Sequence, residues 1–256
     1  MLASLAELSA NLDLLSFGFL LLSIAVFVFF ALRARRGSRL PLRSIAGYAR
    51  CKGLSAQIVE SGRPVAMAWG GRGIGGSGSA DASALSQIAR AIAEPARTAR
   101  RPLLSVARHG EVLATALGTS VRGQVLGLSK HKAREVGVFG GTSPLAHAAA
   151  VRQALAQQDV VACVVAGHLE DEALWIADAA LRRGLAPTAA TLSVTGAALL
   201  YGSVQDLIFG EDVYAAGPYM WRGRRLASLA SEDTIRIVTI LSIIVGVVLA
   251  TTGQWI

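Results

Sequence analysis

The sequence predicts an α/β domain built on a parallel sheet of about five strands, with helices on both faces and an apolar helix at each end of the chain. Three observations predict it. Short apolar runs alternate with longer segments of helical periodicity, local start and stop signals agree with those segments, and charge-free apolar runs bracket the whole. Strands that are continuously apolar, rather than alternating, are typical of a parallel sheet covered on both faces.

The first element is the apolar run 14–32, which contains no charged residue. A helix of about 20 apolar residues crosses the hydrocarbon core of a bilayer, so this run is long enough to span one. It lacks the basic amino-terminal region and the cleavage motif of a secretory signal peptide. We therefore interpret 14–32 as a retained transmembrane helix that follows a short extracytoplasmic tail, 1–13.

A basic juxtamembrane segment, 33–54, comes next and contains no acidic residue. We expect its arginines to contact anionic lipid headgroups. The arginines predicted to do so are Arg33, Arg35, Arg36, Arg39 and Arg43. Residues 40–54 mix apolar and basic side chains, which fits either an amphipathic helix lying on the headgroups or an ordinary first helix of the domain.

The domain itself, 55–221, contains the alternating strands and helices. The apolar runs predict strands at 65–69, 103–107, 136–139, 160–166 and 188–193. The helical segments between and after them are about 81–99, 111–126, 143–157, 170–183 and 195–209. Ser143 before Pro144 is a helix start, and Gly184 is a helix C-cap. Strand–helix–strand alternation implies right-handed crossovers and a Rossmann-like sheet.

A second basic segment, 222–236, and a second charge-free run, 237–256, complete the chain. Aromatic and basic residues at the end of the domain resemble an anchor at the membrane interface. They are Trp221, Arg222, Arg224 and Arg225. In the second run, Ser242, Gly246 and Ala250 recur every four residues, so one face of this helix is small enough to pack against the first span, a second copy or another membrane subunit. Chance spacing in a chain rich in glycine and alanine explains the same pattern.

The net charge of +8 is concentrated beside the two apolar runs, whereas residues 53–221 contain 14 basic and 13 acidic residues. This distribution predicts a bilayer with anionic headgroups as the partner, and a nucleic-acid partner is not expected. Basic residues beside both spans place the domain in the cytoplasm and both termini outside the plasma membrane. The chain has only two cysteines, which suits a reducing compartment without a disulfide framework.

A glycine-rich segment, 70–81, lies between the first predicted strand and the next helix, and it contains G-x-G-x-x-G twice. The residues that we expect to bind an anion there are Gly71, Gly73, Gly75, Gly76, Ser77, Gly78 and Ser79, with Arg72 as a charged donor. Backbone N–H groups of such a loop, at the start of a helix, attract phosphate groups. However, the sequence shows no acidic residue directly after strand 103–107 and no Gly-Lys-Ser/Thr triplet, so it fits neither a standard dinucleotide fingerprint nor a Walker A loop. A connector or a turn with positive φ explains the glycines equally.

Four histidines are present, and His109 and His168 each follow a predicted strand. His168 and Arg108 are therefore expected at the carboxyl edge of the sheet, where α/β proteins bind ligands. Helix capping by the acidic residues after His168 is the alternative use of that segment. The spacing of histidine and cysteine predicts no metal site, and no set of residues predicts a catalytic centre.

Several blocks of sequence resemble one family of bacterial membrane proteins that is defined only by a domain of unknown function. The most specific blocks are PLAHAAAVRQAL, GHLEDEALWIADAALRRG and GEDVYAAGPYM. The resemblance covers about 14–251 and implies two membrane anchors around one α/β domain. It implies no reaction, cofactor or catalytic residue.

The sequence as a whole predicts a non-catalytic binding or scaffold module at the membrane surface, without a cofactor. Two alternatives stay open. One is a nucleotide- or phosphate-binding sensor or enzyme that uses the glycine-rich segment, and the other is a subunit of a larger membrane complex.

Overall fold

A computed structural model describes residues 2–36, 43–96, 99, 103–125, 136–221 and 226–251. The chain divides into two units. One is Ile45–Trp221, and the other combines the terminal segments Met1–Ser44 and Arg222–Ile256.

The unit Ile45–Trp221 contains one sheet of six parallel strands. They are β1 (Val65–Trp69), β2 (Leu103–Ala107), β3 (Val136–Phe139), β4 (Ala162–Gly167), β5 (Thr188–Thr191) and β6 (Asp206–Phe209). Their order across the sheet is β3-β2-β1-β4-β5-β6. The register aligns Trp69 at the end of β1 with Ala107 of β2 and Ala166 of β4, so the carboxyl ends of the central strands lie side by side.

The helices of both units are numbered in chain order. They are α1 (Leu2–Arg35), α2 (Ala46–Ser61), α3 (Ser77–Ala93), α4 (Gly110–Val125), α5 (Pro144–Gln157), α6 (Glu172–Leu181), α7 (Val194–Leu200), α8 (Ala216–Met220) and α9 (Leu226–Thr251), with a 3₁₀ turn at Gly210–Ala215 before α8. The Ser143 hydroxyl caps α5 by accepting a hydrogen bond from the Ala146 backbone N–H, as the Ser-Pro start predicts.

Two apolar cores hold the helices on the sheet. Alternate residues of β1 point to opposite faces, so Met67 and Trp69 pack with α2, α3, α4 and α8, whereas Ala68 packs with α5, α6 and α7. Ile88 of α3 and Ile176 of α6 are fully buried in these two cores. Burial of one such side chain contributes about 1.5–3 kcal/mol. The prediction of an α/β sheet with helices on both faces is confirmed.

The number of strands is six, which corrects the expected five. β6 lies inside the segment 195–209 that was predicted to be a helix, and α7 ends at Leu200. The reason is that β6 is a four-residue edge strand, and only Ile208 in it is fully buried. Its apolar run, 207–209, is too short to distinguish a strand from the end of a helix.

The N-terminal part of the domain also differs from the prediction in detail. α2 buries Tyr48, Cys51 and Ile58 in the core, so it is an ordinary first helix of the domain, one of the two alternatives for 40–54. α3 begins at Ser77, within the glycine-rich segment, and ends at Ala93, before Pro95. The glycine-rich segment is consequently shorter as a loop than its composition suggests.

The terminal unit consists of α1 and α9, which lie against each other. Within the described part of the chain, Ser16–Arg35 is the one segment long and apolar enough to cross a membrane, with a mean hydropathy of 2.3. The second expected span forms the C-terminal part of α9, and its last residues, 252–256, lie outside the described residues. A second transmembrane helix is therefore not evident in the structure.

Candidate functional site

The strand order reverses between β1 and β4, and we call the carboxyl edge of the sheet at this reversal the crevice. One half of the sheet runs outward from β1 through β2 to β3, and the other runs from β4 through β5 to β6. α3 follows β1 on one face and α6 follows β4 on the other, so the loops that precede these helices diverge. Ligands of open α/β sheets bind at this kind of switch point.

The glycine-rich loop forms one side of the crevice, between β1 and α3. Gly76 directly precedes α3 and has φ 53° and ψ −126°, a conformation that residues with a Cβ rarely adopt. A Cβ at Gly78 would overlap the carbonyl oxygen of Gly73, so the first turn of α3 lies directly against the loop. Gly73, Gly75 and Gly78 form the second of the two predicted glycine motifs, and Gly76 is the last glycine of the first. Gly75 and Gly76, directly before α3, are exposed, and the start of a helix attracts anions.

The other loop residues that we expect to bind an anion are Gly71, Ser77 and Ser79. Gly71 is buried at the start of the loop, and Ser79 is exposed in the first turn of α3. The side chain of Ser77 lies outside the described part of the structure. Their role in binding stays a prediction.

Arg72 and His168 meet across the crevice. Nη2 of Arg72 lies 3.3 Å from Nε2 of His168, the residue that directly follows β4. The sequence placed both residues at the edge of the sheet, and the structure brings them together from different strands. Because Arg72 is exposed and His168 is half-buried, the pair presents a hydrogen-bonding, cationic group to the crevice.

Arg108 has a different environment from the one expected for a ligand-binding residue. Its Nη1 lies 3.1 Å from Oε1 of Glu172 and 3.5 Å from Oε2 of Glu170, and its Nε donates to the carbonyl oxygen of Thr142 at 2.8 Å. Glu172 is fully buried and also accepts a hydrogen bond from the Glu170 backbone N–H at 3.0 Å. Arg108 thus connects the end of β2 to the loops before α5 and α6, and its charge is compensated within the protein.

Glu111 is an acidic residue of the site that sequence reasoning missed. Its Oε2 accepts a hydrogen bond from the backbone N–H of Ile74, in the glycine-rich loop, at 2.8 Å. The sequence showed no acid directly after β2, but Glu111 reaches the loop from the first turn of α4. An acidic residue directly after β2 would have matched the dinucleotide-binding pattern. Glu111 lies one helical turn later, where no sequence pattern marks it.

Tyr214 is a second residue that the sequence did not assign to the site. Its hydroxyl donates to Oδ1 of Asp81, in α3, at 2.6 Å. This hydrogen bond to a carboxylate is the main reason that the pKa of Tyr214 is raised to about 12. The bond ties the 3₁₀ turn that follows β6 to the helix that begins at the glycine-rich loop.

The other described histidines, His109 and His147, have different environments. His109 lies beside the glycine-rich loop, where a Cβ at Gly73 would be 3.7 Å from its Nδ1. His147 is buried, its Nε2 lies 3.3 Å from the Val106 carbonyl oxygen, and burial lowers its pKa to about 4. His147 is therefore neutral at pH 7 and lies on the buried face of α5. His131 lies outside the described residues. Among the described residues, no group of three or more histidine, cysteine or acidic side chains has the geometry of a metal site.

A separate open groove lies between the starts of α5 and α6. It has a volume of about 320 Å³ and is lined by Ser143, Pro144, Leu145, Asp171, Glu172 and Trp175. Leu145 is 69% exposed and Trp175 is 59% exposed. The groove is a shallow apolar surface with two carboxylates, and it is distinct from the crevice formed by Arg72 and His168.

Comparison with known proteins places the chain in a family. Residues 7–256 match DUF6754, which is described as a domain of unknown function. The chain belongs to this family. No curated protein matches it, and no solved structure matches it. The family description names no function.

The aromatic residues at the end of the family's α/β unit contact the domain. Tyr219 stacks on Tyr48, with 5.2 Å between the ring centroids, and the guanidinium of Arg90 lies 4.9 Å from the ring centroid of Trp221. The hydroxyl of Tyr48 donates to the Asp212 carbonyl oxygen at 2.6 Å. Contact of Trp221 with the membrane stays a prediction.

The structure describes four of the predicted membrane-surface arginines. Arg36 directly follows α1, and Arg43 lies in the segment before α2. Arg33 and Arg35 occupy the last turn of α1. Arg39, Arg222, Arg224 and Arg225 lie outside the described residues. The small-residue face predicted for oligomer contacts lies on α9, where the Ser242 hydroxyl donates to the Val238 carbonyl oxygen of its own helix. Partner contacts of Ser242, Gly246 and Ala250 stay predictions.

Proposed function

We propose that this chain is a membrane-anchored α/β module that binds a phosphorylated small molecule in the crevice between β1 and β4. One observation supports the proposal most directly. The glycine-rich loop faces the loop after β4 at the reversal of strand order, and Arg72 and His168 meet there at 3.3 Å. A phosphate in this position is attracted by the N-terminus of α3 and by the Arg72 guanidinium.

A binding role suits the environment of the other charged groups at this edge better than catalysis does. Arg108 is engaged by Glu172, and the Tyr214 hydroxyl is engaged by Asp81. These pairs fix the loops around the crevice, and a fixed crevice reduces the ordering cost of binding. The proposed function is thus ligand binding or sensing. It combines two of the sequence-based hypotheses, a binding module at the membrane surface and a phosphate-binding sensor.

Replacement of Gly76 by valine is expected to abolish ligand-dependent stabilisation. Valine strains the positive φ of Gly76 and brings two methyl groups to the start of α3. The measurement is the shift in Tm of the full chain in detergent micelles with pyrophosphate and with ADP. A ligand present at about 100 times its Kd stabilises the native state by about 2.7 kcal/mol, a shift of several degrees.

The matched control is Gly62→Val. Gly62 caps α2 with φ 69°, at the opposite edge of the sheet, so valine there also strains a positive φ but does not approach the loop. We expect Gly62→Val to lower the Tm of the free protein but to retain the ligand-dependent shift. If the Gly76→Val protein responds to ligand as the wild type does, or if neither ligand shifts the wild-type Tm, the proposed site is wrong.

We further propose that both terminal helices cross the plasma membrane, with both termini outside and the α/β unit in the cytoplasm. Large apolar side chains are exposed along α1 and α9, and basic residues flank both apolar runs. Ser16–Arg35 supplies the first span. The charge-free run 237–256 would supply the second.

Labelling with a membrane-impermeant maleimide tests this topology. Both native cysteines are buried, and burial raises their pKa to about 12, so they react slowly. We expect a Ser4→Cys protein to be labelled in intact cells and a Gln57→Cys protein, whose new thiol lies on an exposed face of α2, to be labelled only after lysis. The reverse pattern, or recovery of the wild-type chain in the soluble fraction, contradicts the topology.

A further inference from the structure

Glu111 places a carboxylate against the glycine-rich loop, on the side of β2. The residue is exposed and lies in the first turn of α4. Its Oε2 is 2.8 Å from the Ile74 backbone nitrogen, and a Cβ at Gly73 would lie 2.8 Å from the same oxygen. A glycine at 73 therefore provides the space that this carboxylate occupies, and the arrangement holds the charge of Glu111 beside the loop.

The charge of Glu111 limits which phosphorylated ligand fits. Backbone N–H groups at the start of α3 attract a phosphate, whereas an ionised carboxylate beside the same loop repels one. A bare phosphate or pyrophosphate ion brings no uncharged donor group to this carboxylate. A ligand that joins its phosphate to a sugar brings neutral hydroxyl donors to the carboxylate, so both parts of the site gain a partner.

The carboxylate has acceptor capacity for such donors. It is an acceptor-only group with about four lone-pair positions, and the Ile74 N–H uses one of them. The adjacent hydroxyls of a ribose are donors of the matching kind. In nucleotide-binding α/β folds an acidic residue near the end of the second strand accepts the 2′-hydroxyl, and Glu111 lies one helical turn beyond that position.

We infer that Glu111 accepts the 2′-hydroxyl of a ribonucleotide whose phosphate lies at the start of α3. The inference rests on the proposed function and specifies its ligand class as a phosphorylated ribose with a free 2′-hydroxyl. A ligand with a phosphate at the 2′ position is disfavoured, because it brings a second anion to Glu111. Arg108, which directly follows β2, is already paired with Glu172.

Isothermal titration of the full chain in lipid nanodiscs tests the inference with ADP, 2′-deoxyADP and pyrophosphate as probes. The variant is Glu111→Gln, in which the amide oxygen retains an acceptor for the Ile74 N–H while the charge is removed. The matched control is Glu60→Gln, the same change at an exposed position near the end of α2, at the opposite edge of the sheet.

We expect the wild type and Glu60→Gln to bind ADP about 10-fold more tightly than 2′-deoxyADP, the effect of one hydrogen bond to a charged group. In Glu111→Gln this ratio should fall toward one, and pyrophosphate should bind more tightly than it does to the wild type. If the wild type binds ADP, 2′-deoxyADP and pyrophosphate equally, or if Glu111→Gln keeps the preference, Glu111 only holds the loop. The inference then fails while the anion site stands. If no probe binds the wild type, both fail.

Discussion

Replacement of Arg108 by methionine is expected to lower the free energy of unfolding by about 3–5 kcal/mol, the cost of leaving a buried charge without its partner. The side chain of Glu172 is 0% exposed and that of Arg108 is 15% exposed, so solvent cannot replace the lost ion pair. Methionine keeps most of the packing volume of the arginine stem, which isolates the loss of charge. Denaturant unfolding of the full chain in detergent measures the effect.

A double-mutant cycle shows whether the effect belongs to the pair. Glu172→Gln removes the charge but keeps an acceptor for the Glu170 backbone N–H. We expect the combined variant to be more stable than the sum of the two single changes predicts, by about 1–3 kcal/mol. Additive losses would show that Arg108 acts mainly through its hydrogen bond to Thr142.

Arg182→Met is the matched control for the loss of an ion pair. Arg182 contacts Asp178 at 2.7 Å on the exposed surface of α6, where water and salt screen the pair. We expect almost no change in stability. A loss comparable to that of Arg108→Met would mean that burial does not determine the strength of these pairs.

Replacement of Gly167 by alanine is expected to destabilise the protein by about 2–5 kcal/mol, because backbone strain and overpacking add at this position. Gly167 ends β4 with φ 123°, and a Cβ there would overlap the carbonyl oxygen of Gly70. Backbone atoms cannot move aside as a flexible side chain can, so β1 and β4 would have to separate. The free energy of unfolding and the ligand-dependent Tm shift both measure the result.

The control for this change is Gly53→Ala. Gly53 lies in the middle of α2, is exposed, and has nothing near the position of a new Cβ. Alanine should stabilise the helix there by about 0.5–1 kcal/mol. Opposite signs for the two glycine-to-alanine changes are thus expected. Equal stability of Gly167→Ala and the wild type would contradict the close approach of the two strand ends.

The inner strands were predictable because burial on both faces leaves a local trace. β1 and β2 are buried at every position, and their apolar runs were recognised at the correct bounds. β6 was missed because its apolar run, 207–209, is too short to distinguish a strand from the end of a helix. α3 was predicted to begin at about residue 81 but begins at Ser77, because the glycines and serines of its first turn are not typical of a helix.

The candidate site was predictable only where a residue directly follows a strand. His168 and the glycine-rich loop were identified in this way, because the carboxyl ends of parallel strands meet at one edge. Glu111 and Tyr214 were not identified. They reach the crevice from a helix and from a 3₁₀ turn, and the contacts that bring them there join residues 37 and 133 positions apart.

Local composition alone was sufficient to establish an α/β domain, a glycine-rich turn before a helix and apolar runs near both ends, because each depends on neighbouring residues. The order of the strands, the reversal between β1 and β4, and the pairing of Arg108 with Glu172 depend on which surfaces pack together. Those contacts join distant parts of the chain, and no local pattern records them. The three-dimensional structure was therefore needed to show that Arg72, His168 and Glu111 surround one crevice.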